Sequence, residues 1–321
     1  MHKLWDSYPE IKKELEVVID LMDENAYCKD KVIESSIKDM IHSNGKMIRP
    51  GFSIIAAKFG EYEEERTRVL AAVMEFFHMA TLVHDDVIDD AKLRRGKETV
   101  QSKYGKDYAV YIGDYLFCIC FKLLASTASL QSIQIDSKAM SRICLGEVEQ
   151  LNSRFDKNVS VKNYLKRVSG KTAELFSLSL YIGAAESNCD KKLSRLFWNI
   201  GHNIGMAFQI IDDILDYVSD TNTLGKDSAN DLKDGLYTLP LIYVLEKQPK
   251  ELLTILDKEI YEDEDIAAIF KLTHELGGIE SARNLAKKYT DKAYKLIGQL
   301  PDNEYKSMLK EMSRELLERA Y

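Results

Sequence analysis

The sequence predicts an all-α fold: one large bundle of many helices spanning residues 1–321. Three observations lead there. Only five prolines occur in 321 residues, and none lies between Pro50 and Pro240, so proline bars no helix across the middle of the chain. Apolar residues recur at i, i+3, i+4 and i+7 over long stretches. No alternating strand pattern with turn punctuation recurs, so nothing offers a sheet to join.

The elements follow in order. The N-terminal MHKLWDSYPEIKKELEVV has no apolar core followed by a small-residue cleavage site, so no signal peptide is expected. Pro50 marks a helix start. Between Val69 and Asp90, the apolar set Val69, Leu70, Ala72, Val73, Phe76, Phe77, Ala80, Val83, Val87 and Ile88 covers most of a helix circumference, the mark of a helix buried among helices. Tyr108–Phe121 is aromatic and β-branched enough for a strand, yet reads as helix for want of a sheet partner. A second buried helix is expected over Leu196–Tyr217. From Lys250 onward, charge rises between apolar residues at helical spacing (Leu285, Tyr289, Ala293, Leu296), which predicts amphipathic helices packed on the outside of the same body. No repeat or Gly/Ser/Pro-rich linker divides the chain, so a single domain is expected.

Hydrophobic residues make up 45% of the chain and charged ones 30%, too apolar for disorder. The net charge of −8 argues against nucleic acid as a partner, because phosphate contacts need a basic face. Five cysteines without a CxxC argue against a disulfide framework or zinc site and for a reducing, cytoplasmic setting. No run approaches the roughly 20 uninterrupted apolar residues of a transmembrane segment.

Two apolar helices carry the same acidic turn. LVHDDVIDD contains Asp85, Asp86, Asp89 and Asp90, and FQIIDDILDY contains Asp212, Asp213 and Asp216. Each holds DDxxD, and residues four apart lie one above the other on a helix face, so Asp85 with Asp89, and Asp212 with Asp216, can converge on one point. A solvated acidic face would show the same spacing. The neighbours weigh against it, because carboxylates at the rim of an apolar run need a compensating charge. Clustered hard oxygen ligands suit Mg²⁺, which takes one or two carboxylates and is completed by substrate phosphates.

Cations appear where that reading needs them. NGKMIRPG supplies Lys46 and Arg49, LRRGKET supplies Arg94 and Arg95, SGKTAELF supplies Lys171 and Thr172, and LGKDSANDLKDG supplies Lys226. Arginine forks suit phosphate oxygens, and lysines serve as point charges. Taken singly, each is an ordinary surface feature. GKT at 170–172 lacks the glycine-loop spacing of a nucleotide-binding P-loop.

The ordered set GKxxRP, DDxxD, RRG, GKT, FQxxDDxxD, GK resembles the trans-type polyprenyl diphosphate synthases from Gly45 to about Pro240. HMATLVHDDVIDDAKLRRGK and CLGEVEQ look most like the catalytic component of bacterial heptaprenyl diphosphate synthases. The resemblance implies the isoprenoid-synthase type of helical bundle. It implies that Lys46, Arg49, His78 and Arg95 hold the diphosphate of isopentenyl diphosphate. It makes Asp85, Asp89 and Asp212 ligands of magnesium, three ions with substrate bound, supported by Asp86, Asp213 and Asp216. Arg94, Lys171, Thr172, Gln209 and Lys226 would grip the allylic diphosphate. The chemistry implied is ionisation of the allylic carbon–oxygen bond, with Asp85, Asp89, Lys171, Asp212 and Lys226 as the catalytic set, attack by the isopentenyl double bond, and proton loss to the departing diphosphate.

In that family, product length follows the depth below the first acidic turn. Ala80 and Thr81 are small and leave the first level open, while Phe76 and Phe77 one turn deeper could form a floor or simply pack in the core. Heptaprenyl is favoured, with geranylgeranyl as the shorter alternative. Asn44 and Met47 depart from the usual GGKRxRP, and RELLERAY lacks the basic tail of many relatives. A terpene cyclase would carry one DDxxD and no GKMIRP site. A non-catalytic subunit would have lost charged residues that are all present here. The resemblance implies a homodimer, as is common among relatives, or a complex with the small regulatory second subunit that the most similar of them can require.

Overall fold

The computed structural model describes residues 2–43, 45–94, 96–218, 231–258 and 260–318. Among them are fifteen α-helices: α1 (Pro9–Asn25), α2 (Lys31–Ile41), α3 (Ile48–Ala57), α4 (Glu64–Ile88), α5 (Val100–Tyr104), α6 (Lys106–Thr127), α7 (Leu130–Asn152), α8 (Val161–Val168), α9 (Glu174–Glu186), α10 (Lys191–Val218), α11 (Leu239–Leu245), α12 (Lys250–Leu256), α13 (Asp263–Glu275), α14 (Gly278–Ile297) and α15 (Glu304–Leu317). The all-α expectation is met. Among the described residues the one sheet is a two-residue ladder, β1 (Leu93–Arg94) against β2 (Lys97–Glu98), with Leu93 opposite Glu98 and Arg94 opposite Lys97. It is too short to carry an alternating pattern, and Gly96 turns it with a positive φ of 77°.

Contacts divide the chain into two compact units. The first comprises residues 1–136, 178–197 and 303–308, the second 137–177, 198–302 and 309–321.

In the first unit α4 is the spine. It starts at Glu64, five residues before the first residue of its apolar pattern, because the Glu63 carboxylate accepts from the backbone N–H groups of Glu65 and Arg66 and caps it. Residues on every side of α4 are sealed, among them Leu70, Val73, Phe76, Phe77, Ala80 and Val83, as its unbroken apolar outline requires. It packs along α6 and also meets α1 and α3. The stretch Tyr108–Phe121 is helical, inside α6. By length and composition α6 could cross a membrane; Asp114 and Lys122 interrupt it, and its inner stripe of Ile112, Leu116, Cys120 and Leu124 is buried. α3 begins at Ile48 rather than Pro50. Proline is tolerated there because the first four N–H groups of a helix have no partner within it.

In the second unit, residues 198–218 of α10 supply Ile200, Ile204, Ile210, Ile211 and Ile214 to the core. The full helix extends five residues before and one after its expected range. The amphipathic expectation after Lys250 holds, with a shifted stripe. On α14 the sealed residues include Ile279, Ala282, Ala286, Ala293 and Ile297, while Leu285, Tyr289 and Leu296 flank them half-buried. Small residues face the contact because α14 comes close to α11: a Cβ on Gly278 would lie 2.2 Å from the Pro240 carbonyl oxygen.

The first unit also contains a group that opposes folding. Asp136 is buried, and neither carboxylate oxygen has a hydrogen-bond partner among the described residues. Burial pushes its pKa up to about 7. The unfolded chain ionises this group near its ordinary value of about 3.9. Stability is therefore lost as pH rises from about 4 to 7 and is level above that. Asp136→Asn is expected to raise the melting temperature, by an amount that grows between pH 5 and pH 7; a gain independent of pH would contradict this account.

Candidate active site

Both acidic turns occupy the C-terminal ends of long helices. Asp85 and Asp86 lie in the last turn of α4, and Asp89 is its cap, donating its N–H to the Asp85 carbonyl at 2.8 Å. Asp212, Asp213 and Asp216 lie in the last two turns of α10. The helix macrodipole is negative there, so these carboxylates sit where the backbone field opposes them.

In the first unit, Asp86 is sealed and Arg94 answers it. The guanidinium donates from Nε at 2.8 Å and from a terminal nitrogen at 2.7 Å, both to Asp86 Oδ1. Burial still holds the Asp86 carboxyl above its ordinary value, against the pull of Arg94. Asp85 is half-buried and Asp89 exposed. Before the hairpin the chain reverses at the end of α4, with Asp90 at a positive φ of 48° and the Ala91 N–H donating to the Asp86 carbonyl at 2.9 Å, which brings Arg94 back to Asp86. Arg95 lies outside the described residues.

Lys46, Arg49 and His78 are half-buried. The loop bearing Lys46 is tied down by Trp5, whose indole N–H donates to the Lys46 carbonyl at 2.7 Å. The ring rests on Gly51, where a Cβ would come within 2.0 Å of it. A cavity of about 390 Å³ opens beside this loop, lined by Gly45, Met47, His78, Leu82, Asp86 and Arg94 among others. Of the chain-length candidates, Phe76, Phe77 and Ala80 are sealed and Thr81 is half-buried, its hydroxyl donating to the His78 carbonyl. Phe77 meets Phe117 of α6 with ring centroids 6.1 Å apart, and Phe117 in turn meets His84 at 5.7 Å. Phe76, nine residues before Asp85, lies half a turn round the helix from it.

In the second unit, α8 runs into a π-turn, Ser169–Ala173, that carries Lys171 and Thr172. Two glycines let this turn lie against α7: a Cβ on Gly146 would be 3.0 Å from the Lys171 nitrogen, and one on Gly170 would be 3.0 Å from the Arg142 carbonyl oxygen. Lys171 pairs with Glu147 at 2.9 Å. The Thr172 hydroxyl donates to Gln209 Oε1 at 2.8 Å, and the Gln209 amide donates to Asp213 Oδ1 at 2.8 Å. Asp213 is sealed, while Asp212 and Asp216 are half-buried. Glu174, at the end of the π-turn, is pushed up to about 7 by burial although Arg142 reaches it at 2.6 Å. Lys226 lies outside the described residues.

Sequence reasoning missed Trp5, which holds the Lys46 carbonyl, Glu147, which pairs with Lys171, and Tyr164, whose hydroxyl donates to Asp213 Oδ2 at 2.6 Å. Glu147 alone left a signal, inside CLGEVEQ. Among the described residues no three acidic, histidine or cysteine side chains form a metal group by themselves. A pair of carboxylates in each cluster fits an ion completed by phosphate and water.

Residues 30–273 match the family model described as polyprenyl synthetase. Heptaprenyl diphosphate synthase component 2 of Geobacillus stearothermophilus is 37% identical over 284 residues, covering 88% of this chain and 88% of that protein. The crystal structure of geranylgeranyl pyrophosphate synthase from Lactobacillus brevis matches with a TM-score of 0.95 and 35% identity over 99% of both chains. A polyprenyl synthase from Caulobacter crescentus, solved with calcium and isoprenyl diphosphate, matches with a TM-score of 0.90 and 32% identity over 97% of this chain and 96% of that one. An all-α chain with these relatives is a prenyltransferase. It belongs to the polyprenyl synthetase family and is a polyprenyl diphosphate synthase.

The π-turn is held from the α10 side by Gly205, where a Cβ would lie 2.6 Å from the Ala173 Cα. Backbone must move to admit it, so Gly205→Ala is expected to cost about 1–3 kcal/mol. The expected outcome is a lower melting temperature together with a fall in kcat, since Lys171 and Thr172 ride on the displaced turn. Unchanged kinetics with lowered stability would separate the turn from catalysis.

Proposed function

We propose that the chain condenses an allylic diphosphate, farnesyl or geranyl, head to tail with isopentenyl diphosphate to give an all-trans polyprenyl diphosphate, with heptaprenyl as the favoured product. The observation that supports it most is the pair of aspartate turns at helix C-termini, each with a protein-locked central carboxylate and basic residues beside it. Asp85, Asp89 and Asp212 are proposed as magnesium ligands, three ions with substrate bound. Magnesium would supply Lewis-acid stabilisation of the leaving diphosphate.

The chain's own residues do the rest. Arg94, Lys171, Thr172, Gln209 and Lys226 bind and orient the allylic diphosphate, so that charge developing on its bridging oxygen meets preorganised donors as the carbon–oxygen bond breaks. Lys46, Arg49, His78 and Arg95 hold isopentenyl diphosphate with its double bond toward the allylic carbon. The departing diphosphate takes the proton lost after carbon–carbon bond formation.

A geranylgeranyl product is the second reading. It is favoured by Phe77, which is sealed against Phe117 where a longer chain would need room. The reaction is proposed for the cytoplasm, in a homodimer or with a small second subunit. The outer stripe of α6, with Tyr111 68% and Phe121 56% exposed, is the proposed contact.

Mass spectrometry of the product from farnesyl diphosphate, isopentenyl diphosphate and Mg²⁺ tests the whole reading. Asp85→Asn or Asp212→Asn is expected to lower kcat by at least about 10²–10³. Phe77→Ala should lengthen the product; the same product mass in wild type and variant would clear Phe77 as a floor. Replacing both Tyr111 and Phe121 with lysine should give a monomer by sedimentation, and an undisturbed dimer would place the contact elsewhere.

A further inference from the structure

α8 is short and polar, yet it buries two polar side chains on one face. Tyr164 and Arg167, three residues apart, are only 1% and 6% exposed. Burying a hydroxyl without a hydrogen bond is costly. The Tyr164 hydroxyl has its partner: it donates to Asp213 Oδ2 at 2.6 Å. With Gln209 on Oδ1 at 2.8 Å, both oxygens of Asp213 are engaged by donors from different elements. Gln209 has its own oxygen engaged by Thr172. Behind Tyr164, the Arg167 guanidinium lies 5.4 Å from the ring centroid and donates to the Tyr237 carbonyl and the Ser153 hydroxyl.

We propose that Tyr164 is a positioning residue for the transfer reaction: by pinning Asp213 it sets the rotation of the last turns of α10, and so where Asp212 and Asp216 present their carboxylates. The inference rests on the proposed role of Asp212 in holding magnesium. Neither Tyr164 nor Arg167 touches substrate in this account. A phenylalanine at 164 would fill the same space and remove the Tyr164 donor, leaving Asp213 held by Gln209 and the Leu239 backbone N–H, so that the side chain and the helix turn it anchors could rotate.

The test is Tyr164→Phe, read three ways: melting temperature alone, the rise in melting temperature on adding Mg²⁺ and inorganic diphosphate, and the Mg²⁺ concentration giving half-maximal rate. Loss of a supporting hydrogen bond behind a metal ligand typically lowers metal affinity about 10–100-fold. The expected result is a half-saturating Mg²⁺ concentration raised by about tenfold or more, in keeping with that range. The ligand-induced rise in melting temperature should shrink, and kcat at saturating Mg²⁺ should stay close to wild type. A lower melting temperature with wild-type Mg²⁺ dependence overturns the proposal, since that is all a packing role would give. In an Asp213→Asn background the effect of Tyr164→Phe on Mg²⁺ dependence should vanish; effects that multiply would also overturn it. If Tyr164→Phe does not fold, 3,5-difluorotyrosine at 164 changes the donor at nearly constant volume, and an unaltered Mg²⁺ dependence then counts against the proposal. Failure of the magnesium reading itself looks different: wild type would show neither stabilisation by Mg²⁺ and diphosphate nor a prenyl product.

Discussion

Carboxylates held at the negative end of a long apolar helix are the constraint on which each acidic turn depends. Each acidic turn sets like charges one helix turn apart, and the macrodipoles of α4 and α10 add to the repulsion. Both turns handle it alike. The central aspartate is sealed and engaged by protein donors: Arg94 for Asp86, and Tyr164 with Gln209 for Asp213. The outer aspartates, Asp85 with Asp89 and Asp212 with Asp216, stay at the accessible surface. Such a division suits a hard cation, which needs oxygens at fixed spacing on a rigid support.

The basic residues depend on the backbone in a comparable way. Lys46 follows a loop whose carbonyl is held by Trp5, Arg94 sits on a two-residue ladder turned by Gly96, and Lys171 rides a π-turn seated against α7 by Gly146 and Gly170. For Lys46 and Lys171 a single long-range hydrogen bond or a small residue holds the backbone that carries a long flexible cation. Positioning of that kind lowers the ordering cost of gripping a phosphate.

These devices are costly to a marginally stable fold. Asp86, Asp213 and Glu174 are all held above their ordinary pKa by burial, and each is offset by specific donors. Asp136 has no such donor among the described residues, and nothing in the proposed reaction calls on it.

Periodicity and proline placement determined the fold class, because a helix without a breaker and with an apolar outline has few other ways to bury its surface. The motifs carried the resemblance on which the proposed chemistry rests; DDxxD spacing places carboxylates four apart on one helix face, and their neighbours set that apart from a solvated acidic face. Helix ends were less legible: α4 begins at Glu64 because the Glu63 side chain caps it, a local bond that apolar spacing does not register. Only tertiary structure could decide that Asp213 is locked by Tyr164, 49 residues away, that Lys171 answers Glu147 across 24, or that Trp5 anchors Lys46 across 41. Those pairings follow from where the helices pack, and a single chain's spacing pattern carries no information about contacts between elements.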